Sequence, residues 1–228
     1  MKIYGIEKFS MVDWDGKIVC TLFASGCNFR CPFCHNASLA LSEGNELDQE
    51  EIFDFLEKRK GLLDGVCLSG GEPTLHHDIE DFVGKIKAMG YKVKLDTNGT
   101  NPKAVKGLIE KGLVDYIAMD IKNCPHKYAS TVGVSSITLD NILESVSIIK
   151  SSSIPHEFRT TLIKEFHNEE DMKLVASIIE GCDGYFLQHY VDRDSCISHG
   201  FTPIDKATAE GWLDHFNSKA KRTALRGY

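Results

Sequence analysis

The feature that most narrows the fold is a repeated switch from a short apolar run, ending in glycine or polar residues, to an amphipathic helical pattern. "KIVCTLFAS" reads as a strand, and after Asp48 as a helix N-cap the apolar residues Ile52, Phe53 and Leu56 fall at helical spacing. "GVCLSGG" is a short apolar strand followed by a helix through Ile79, Phe82, Val83 and Ile86 that closes near Gly90. "YKVKLDTNG" leads into "NPKAVKGLIEKG", a helix with proline at its start and glycine at its end. "VDYIAMDIK" precedes a helix through Leu139, Ile142, Val146 and Ile149. "PHEFRTTLI" and "GYFLQHY" are the last strong strands, separated by a helix through Met172, Val175, Ala176 and Ile179. Six such units predict a parallel sheet, because each crossover returns the chain in the same direction. The expected class is α/β, an open or incomplete (β/α)6 barrel. Its strands end in "GCNFRC", "SGGEP", "DTNG", "MDIK", "RTT" and "QHY", and loops beyond such ends converge on one face.

No linker, low-complexity segment or repeat interrupts the 228 residues, so one domain over 1–228 is expected. A formal charge of −7 argues against nucleic acid as the main partner. Only "SKAKRTALR" clusters basic residues, as a solvated chain end does. No apolar run approaches membrane-spanning length, and "MKIYGIEKFSMVDWDGK" lacks the apolar segment of a signal peptide. A cytoplasmic protein is expected. Eight cysteines in that compartment point to metal binding or catalysis rather than disulfides. Cys20, Cys67, Cys124, Cys182 and Cys196 are scattered and read as small buried hydrophobes.

The other three are not scattered. Cys27, Cys31 and Cys34 are spaced C-x3-C-x2-C, with His35 next to the last. Structural zinc usually takes four ligands in two separated pairs; His35 is a candidate fourth ligand, but its adjacency to Cys34 makes closure awkward. "CPFCH" matches a haem-attachment run but would leave Cys27 idle and requires export. A disulfide does not suit the compartment. Three thiolates on a tight loop suit a cubane cluster in which one iron keeps an open position.

C-x3-C-x2-C followed one strand later by "SGGEP" resembles the radical S-adenosylmethionine (radical SAM) enzymes. The resemblance implies a TIM-like partial barrel of the radical SAM type. It also implies a [4Fe-4S] cluster on Cys27, Cys31 and Cys34 and S-adenosylmethionine as second cofactor. In that chemistry one electron reaches the sulfonium, and the 5′-deoxyadenosyl radical released abstracts hydrogen; the protein positions the cofactors. By the same resemblance Ser69, Gly70, Gly71 and Glu72 face the methionine amino group, glycine allowing close backbone approach. Phe33 reads either as an adenine neighbour or as a core aromatic. Arg159 and Gln188, at later strand ends, are candidate cofactor contacts, whereas His189 reads as a solvent-facing or packed histidine.

The likeness runs from about residue 8 to the end, through "SMVDWDGK", "GCNFRCPFCHNASL", "LDTNGTNP", "DYIAMDIK", "EFRTT", "LQHY" and "LRGY". These stretches resemble glycyl-radical activating enzymes, most of all the activating protein of anaerobic ribonucleoside-triphosphate reductase. Asp15 stands where that family often has proline, and no ferredoxin-like cluster insert is present. The implied partners are a glycyl-radical protein, the reductase large subunit, and flavodoxin or a similar electron donor. The alternatives are an activator of a pyruvate formate-lyase type enzyme, a small-molecule enzyme such as 7-carboxy-7-deazaguanine synthase, and a zinc-stabilised binding module. Two carboxylates and a hydroxyl, Asp96, Asp120 and Thr97, also suggest an oxygen-ligand site for a monovalent cation, with Lys122 as a charge partner. "LRGY" invites comparison with the loop such enzymes attack, but reads as a closing strand.

Overall fold

All six strand-then-helix units form in the computed structural model, which describes Met1 to Tyr228. β1 (Ile3–Ser10) precedes them. β2 (Val19–Ala24), β3 (Gly65–Gly70), β4 (Lys92–Thr97), β5 (Tyr116–Asp120), β6 (His156–Leu162) and β7 (Tyr185–His189) then lie parallel and in sequence order, and β8 (Thr223–Arg226) follows. The first crossover carries the one-turn helix α1 (Ala37–Ala40) and α2 (Gln49–Lys58), whose N-cap Asp48 accepts the Glu50 amide as expected. α3 (Ile79–Ala88) and α4 (Pro102–Glu110) follow β3 and β4. The one-turn α5 (Tyr128–Thr131) and α6 (Leu139–Ser151) follow β5, α7 (Glu169–Ile179) follows β6, and α8 (Lys206–Asn217) follows β7.

β1 is the element the sequence did not reveal. "IYGIEKFS" carries a glycine and adjacent Glu7 and Lys8, so neither alternation nor an apolar run is legible. It pairs with β2 alone, antiparallel, and charges along an edge strand discourage pairing with other chains. β8 pairs with β7 alone, and β1 and β8 do not meet, so the barrel is incomplete, as expected.

Side chains alternate across the sheet. Val66, Leu68, Val93, Leu95, Ile117, Met119, Phe158 and Leu187 are fully buried among helix residues such as Phe82, Ile86, Leu108 and Ile149. The alternate positions face inward and are polar: Lys94 and Asp96 on β4, Tyr116 and Asp120 on β5, Glu157 and Arg159 on β6. Trp14, Val19 and Cys67 form a small separate apolar cluster, with Trp14 5.8 Å from the Tyr116 ring.

The tail belongs to this interior. Arg226 donates both terminal nitrogens to the buried Glu157 carboxylate at 2.7 and 2.9 Å, while the Tyr116 hydroxyl donates to the same group at 3.0 Å. Asp15 accepts from Arg222 and Arg226 at 3.0 and 3.2 Å. Gly227 lies against His189, whose ring packs on Tyr228 at 4.6 Å. Removing residues 226–228 is therefore expected to cost about 3 kcal/mol, because a buried carboxylate loses its cation. Denaturant unfolding measures this, and cofactor cleavage by the truncated protein should persist at temperatures where it stays folded.

Candidate active site

Parallel pairing aligns the strand ends and brings the sequence-selected residues together. All of them line one cavity of about 290 Å³ above the C-terminal ends of the strands. The cysteine loop closes one side. It starts at Gly26, whose positive φ of 79° suits a residue without a side chain, and runs through buried Phe29, Cys31 and Phe33.

The "SGGE" segment is fitted to this loop. The Gly71 amide donates to Ala24 and the Glu72 amide to the Gly26 carbonyl, both backbone bonds under 3 Å. A Cβ on Gly70 would lie 2.5 Å from the Ala24 nitrogen, and one on Gly71 would lie 2.0 Å from the Gly26 oxygen. Both glycines thus admit the protein's own backbone at a distance no side chain would allow. Glu72 lines the same cavity. It is fully buried, and its carboxylate accepts from the Thr74 amide and hydroxyl, the Thr97 hydroxyl and the Asn98 amide. Burial raises its pKa despite those donors. Its side chain braces the loops after β3 and β4.

An ionic network floors the cavity. Asp120 and Arg159 are register partners on β5 and β6, joined Nε to Oδ1 at 2.9 Å. Lys122 donates to Asp120 at 2.8 Å, and Arg159 reaches Asp96 at 3.5 Å. Asp96 also accepts from Ser69 at 3.1 Å and lies 3.1 Å from the buried Lys94 ammonium. Burial opposes ionisation of both aspartates. Arg159 and Lys94 nevertheless hold Asp96 below the usual carboxylate range, and Arg159 and Lys122 hold Asp120 well below it. Burial disfavours the charged Lys122 too, but Asp120 more than offsets it.

Asp96 and Asp120, expected with Thr97 to form an oxygen-ligand cation site, meet three of the chain's own cations. The Thr97 hydroxyl is engaged as well, donating to Glu72 and accepting the Gly99 amide. Lys122 is the charge partner expected. Lys94 was missed, although a lysine two residues before an aspartate within one strand puts both on the same face. Asn98 was also missed: its amide nitrogen is 3.8 Å from the Cys27 sulfur and 2.9 Å from Asn28 Oδ1. Thr161 lines the cavity beside its register partner Gln188, and no spacing in the sequence singles it out.

The donor set fits an iron–sulfur cluster better than zinc. Cys27, Cys31 and Cys34 all line the cavity. His35, the only candidate fourth ligand, is 2.7 Å from the Val191 carbonyl through Nε2 and stacks on Tyr190 at 5.8 Å. Burial pushes the Cys27 thiol up to about 11 and the Cys31 thiol up to about 12, with Lys122 opposing both. Iron would compensate that cost by binding the thiolates. The five scattered cysteines are buried and form no disulfide.

Residues 21–178 match the family model of the radical SAM superfamily, a span that includes the three cysteines, "SGGE" and the ionic network. The chain belongs to the radical SAM superfamily. Radical SAM proteins use a [4Fe-4S] cluster and S-adenosylmethionine, the two cofactors this cavity suits. A Methanocaldococcus jannaschii protein named "Putative glycyl-radical enzyme activating enzyme" is 34% identical, over 85% of this chain and 81% of its own. The pyruvate formate-lyase-activating enzyme of Listeria monocytogenes is 33% identical, over 78% and 76%. Among solved structures, a radical SAM methyltransferase from Sphaerobacter thermophilus superposes with a TM-score of 0.70 at 14% identity, covering 91% of this chain and 66% of that one. At that identity the likeness is one of fold. No helix of the chain is long and apolar enough to cross a membrane.

Proposed function

We propose that this chain is an activating enzyme that generates a glycyl radical on the large subunit of anaerobic ribonucleoside-triphosphate reductase. The observation that carries the reading is the convergence of Cys27, Cys31 and Cys34 with the "SGGE" segment and the Asp96–Arg159–Asp120 network on one open cavity. The chain's relatives include proteins named as activating enzymes. The motifs "GCNFRCPFCHN", "DYIAMDIK" and "EFRTT" resemble the reductase activator more than formate-lyase activators.

Cys27, Cys31 and Cys34 would hold the cluster, and the cavity they line would hold S-adenosylmethionine beside it. Together these cofactors supply an electron to the sulfonium and a carbon radical able to take a hydrogen atom. Ser69 and the backbone at Gly70 and Gly71 bound the cavity on the amino-group side, with Glu72 and Thr97 fixing that edge. Arg159 and Lys122 give the floor the positive character a carboxylate needs, and Asp96 and Asp120 hold their side chains in place. Phe33 and Gln188 border the adenosine side, and the buried Phe29 and Phe33 help exclude water. Residues 1–228 act as one domain in the cytoplasm, whose reducing conditions suit eight free thiols, with flavodoxin or a similar protein as electron donor.

The test mixes reduced protein and S-adenosylmethionine anaerobically with the reductase and, separately, with a formate-lyase type enzyme, each carrying α-deuterated glycine. Deuterium is expected in 5′-deoxyadenosine with the reductase alone. Transfer from the formate-lyase type enzyme instead would assign the neighbouring activity.

A further inference from the structure

A second cluster of metal-ligating side chains lies outside the cavity. Cys124 and His126 follow β5, and Asp171 sits in the first turn of α7. The Cys124 sulfur is 3.3 Å from Asp171 Oδ1 and 3.5 Å from each of the two His126 ring nitrogens, of which Nε2 is 3.6 Å from the same Oδ1. Three different donors thus form a nearly equilateral triangle. Tetrahedral zinc, with bonds of about 2.0–2.3 Å, spaces neighbouring ligands about 3.3–3.8 Å apart.

We propose that Cys124, His126 and Asp171 bind one zinc ion, with the fourth position open to solvent. Thiolate, imidazole and carboxylate are all zinc ligands, and three protein ligands plus water is a familiar open set. The aspartate is already oriented for this role. Its Oδ2 accepts from Lys127 at 2.6 Å and from the Asn168 amide at 3.0 Å, which leaves Oδ1 for the ion. Pro125 separates the other two ligands and restricts the turn that carries them. At present the thiol proton lies between sulfur and Oδ1; zinc replaces it, and one proton leaves to solvent for each ion bound. Cys124 and Asp171 are buried, whereas the His126 side chain is 60% exposed, so the ion has an entry route and the ring is free to turn its nitrogen inward.

The site borders the cysteine loop without sharing a ligand with it. From His126 the chain enters α5, where Tyr128 packs against Phe29 at 6.3 Å, and just past that helix the Val132 carbonyl accepts the Arg30 amide at 2.8 Å. Zinc would therefore tie the loop after β5 to α7 beside the cluster loop. This inference does not depend on which glycyl-radical enzyme is the partner.

The test uses cluster-loaded protein under anaerobic conditions, dialysed against zinc, with zinc and iron measured per chain. One zinc should bind while iron is retained, and X-ray absorption at the zinc edge should show a single sulfur ligand. His126→Ala should weaken binding at least ten-fold, and Cys124→Ser should weaken it further. Because His126 is exposed, its replacement does not threaten the fold, and melting without zinc verifies that. Equal zinc uptake by wild type and His126→Ala, no uptake at all, or a multi-sulfur signal with loss of iron would each overturn the proposal.

Discussion

Alanine at any one of Cys27, Cys31 or Cys34 is expected to reduce cluster content and reductive cleavage of S-adenosylmethionine to background. The three side chains line one cavity, and the one imidazole lining it, His35, is tied to Val191 and stacked on Tyr190. Two thiolates cannot hold a cubane that needs three. Cys67 and Cys196 are buried but do not line the cavity, so serine or alanine there should leave iron and cleavage unchanged while costing some packing. Cys124→Ser should likewise keep its cluster. Iron and sulfide analysis with quantified 5′-deoxyadenosine measures both outcomes. Dependence of cluster assembly on Cys67, Cys124 or Cys196 would show the ligand assignment to be wrong.

Asp120→Asn is expected to destabilise the protein by about 3 kcal/mol and to weaken S-adenosylmethionine binding. Asp120 is shared by Lys122 and Arg159, and removing its charge leaves both cations without their common partner. Breaking one side of a buried ion pair costs about 3–5 kcal/mol. The lower end applies because the Asp120 side chain keeps 28% exposure and some water screening. The double replacement Asp120→Asn with Lys122→Met should recover part of the loss.

The pH dependence has a definite sign. In the wild type the Asp120 pKa is depressed, so its contribution is present above the unfolded value of about 4 and is lost as pH falls through the folded value. The Lys122 pKa is raised, so its contribution is present below the unfolded value of about 10.4 and is lost as pH rises through the folded value. This network therefore adds a constant stability between roughly pH 5 and 9. In Asp120→Asn, Lys122 is buried beside Arg159 without a carboxylate, and its folded pKa drops below the unfolded one. The variant should then gain stability relative to wild type as pH rises toward 10. Urea unfolding at pH 7 and 9.5 distinguishes the two, and parallel pH profiles would refute the charge-sharing account.

Some of this protein was legible from residue order alone. Strand alternation, helix spacing and caps are local, and they sufficed for the six βα units, for Asp48 as an N-cap and for the position of the polar strand ends. The cysteine spacing is local too, so the cluster loop could be found without coordinates. The topology rule that loops after parallel strands share a face then assembled the remaining candidates, and all of them line the cavity.

What tertiary structure alone decided concerns who is paired with whom. Gly70 and Gly71 are required by Ala24 and Gly26, more than forty residues earlier, and no local pattern encodes that approach. Glu72 is a brace because Thr97 and Asn98 arrive from the next strand. Asp96 and Asp120 are bridged because Arg159 reaches both from β6. The Arg159 bridge and the backbone clearance are set by distances between segments remote in sequence. Residue order determined the elements and the chemistry they carry, and packing determined which groups had already satisfied one another.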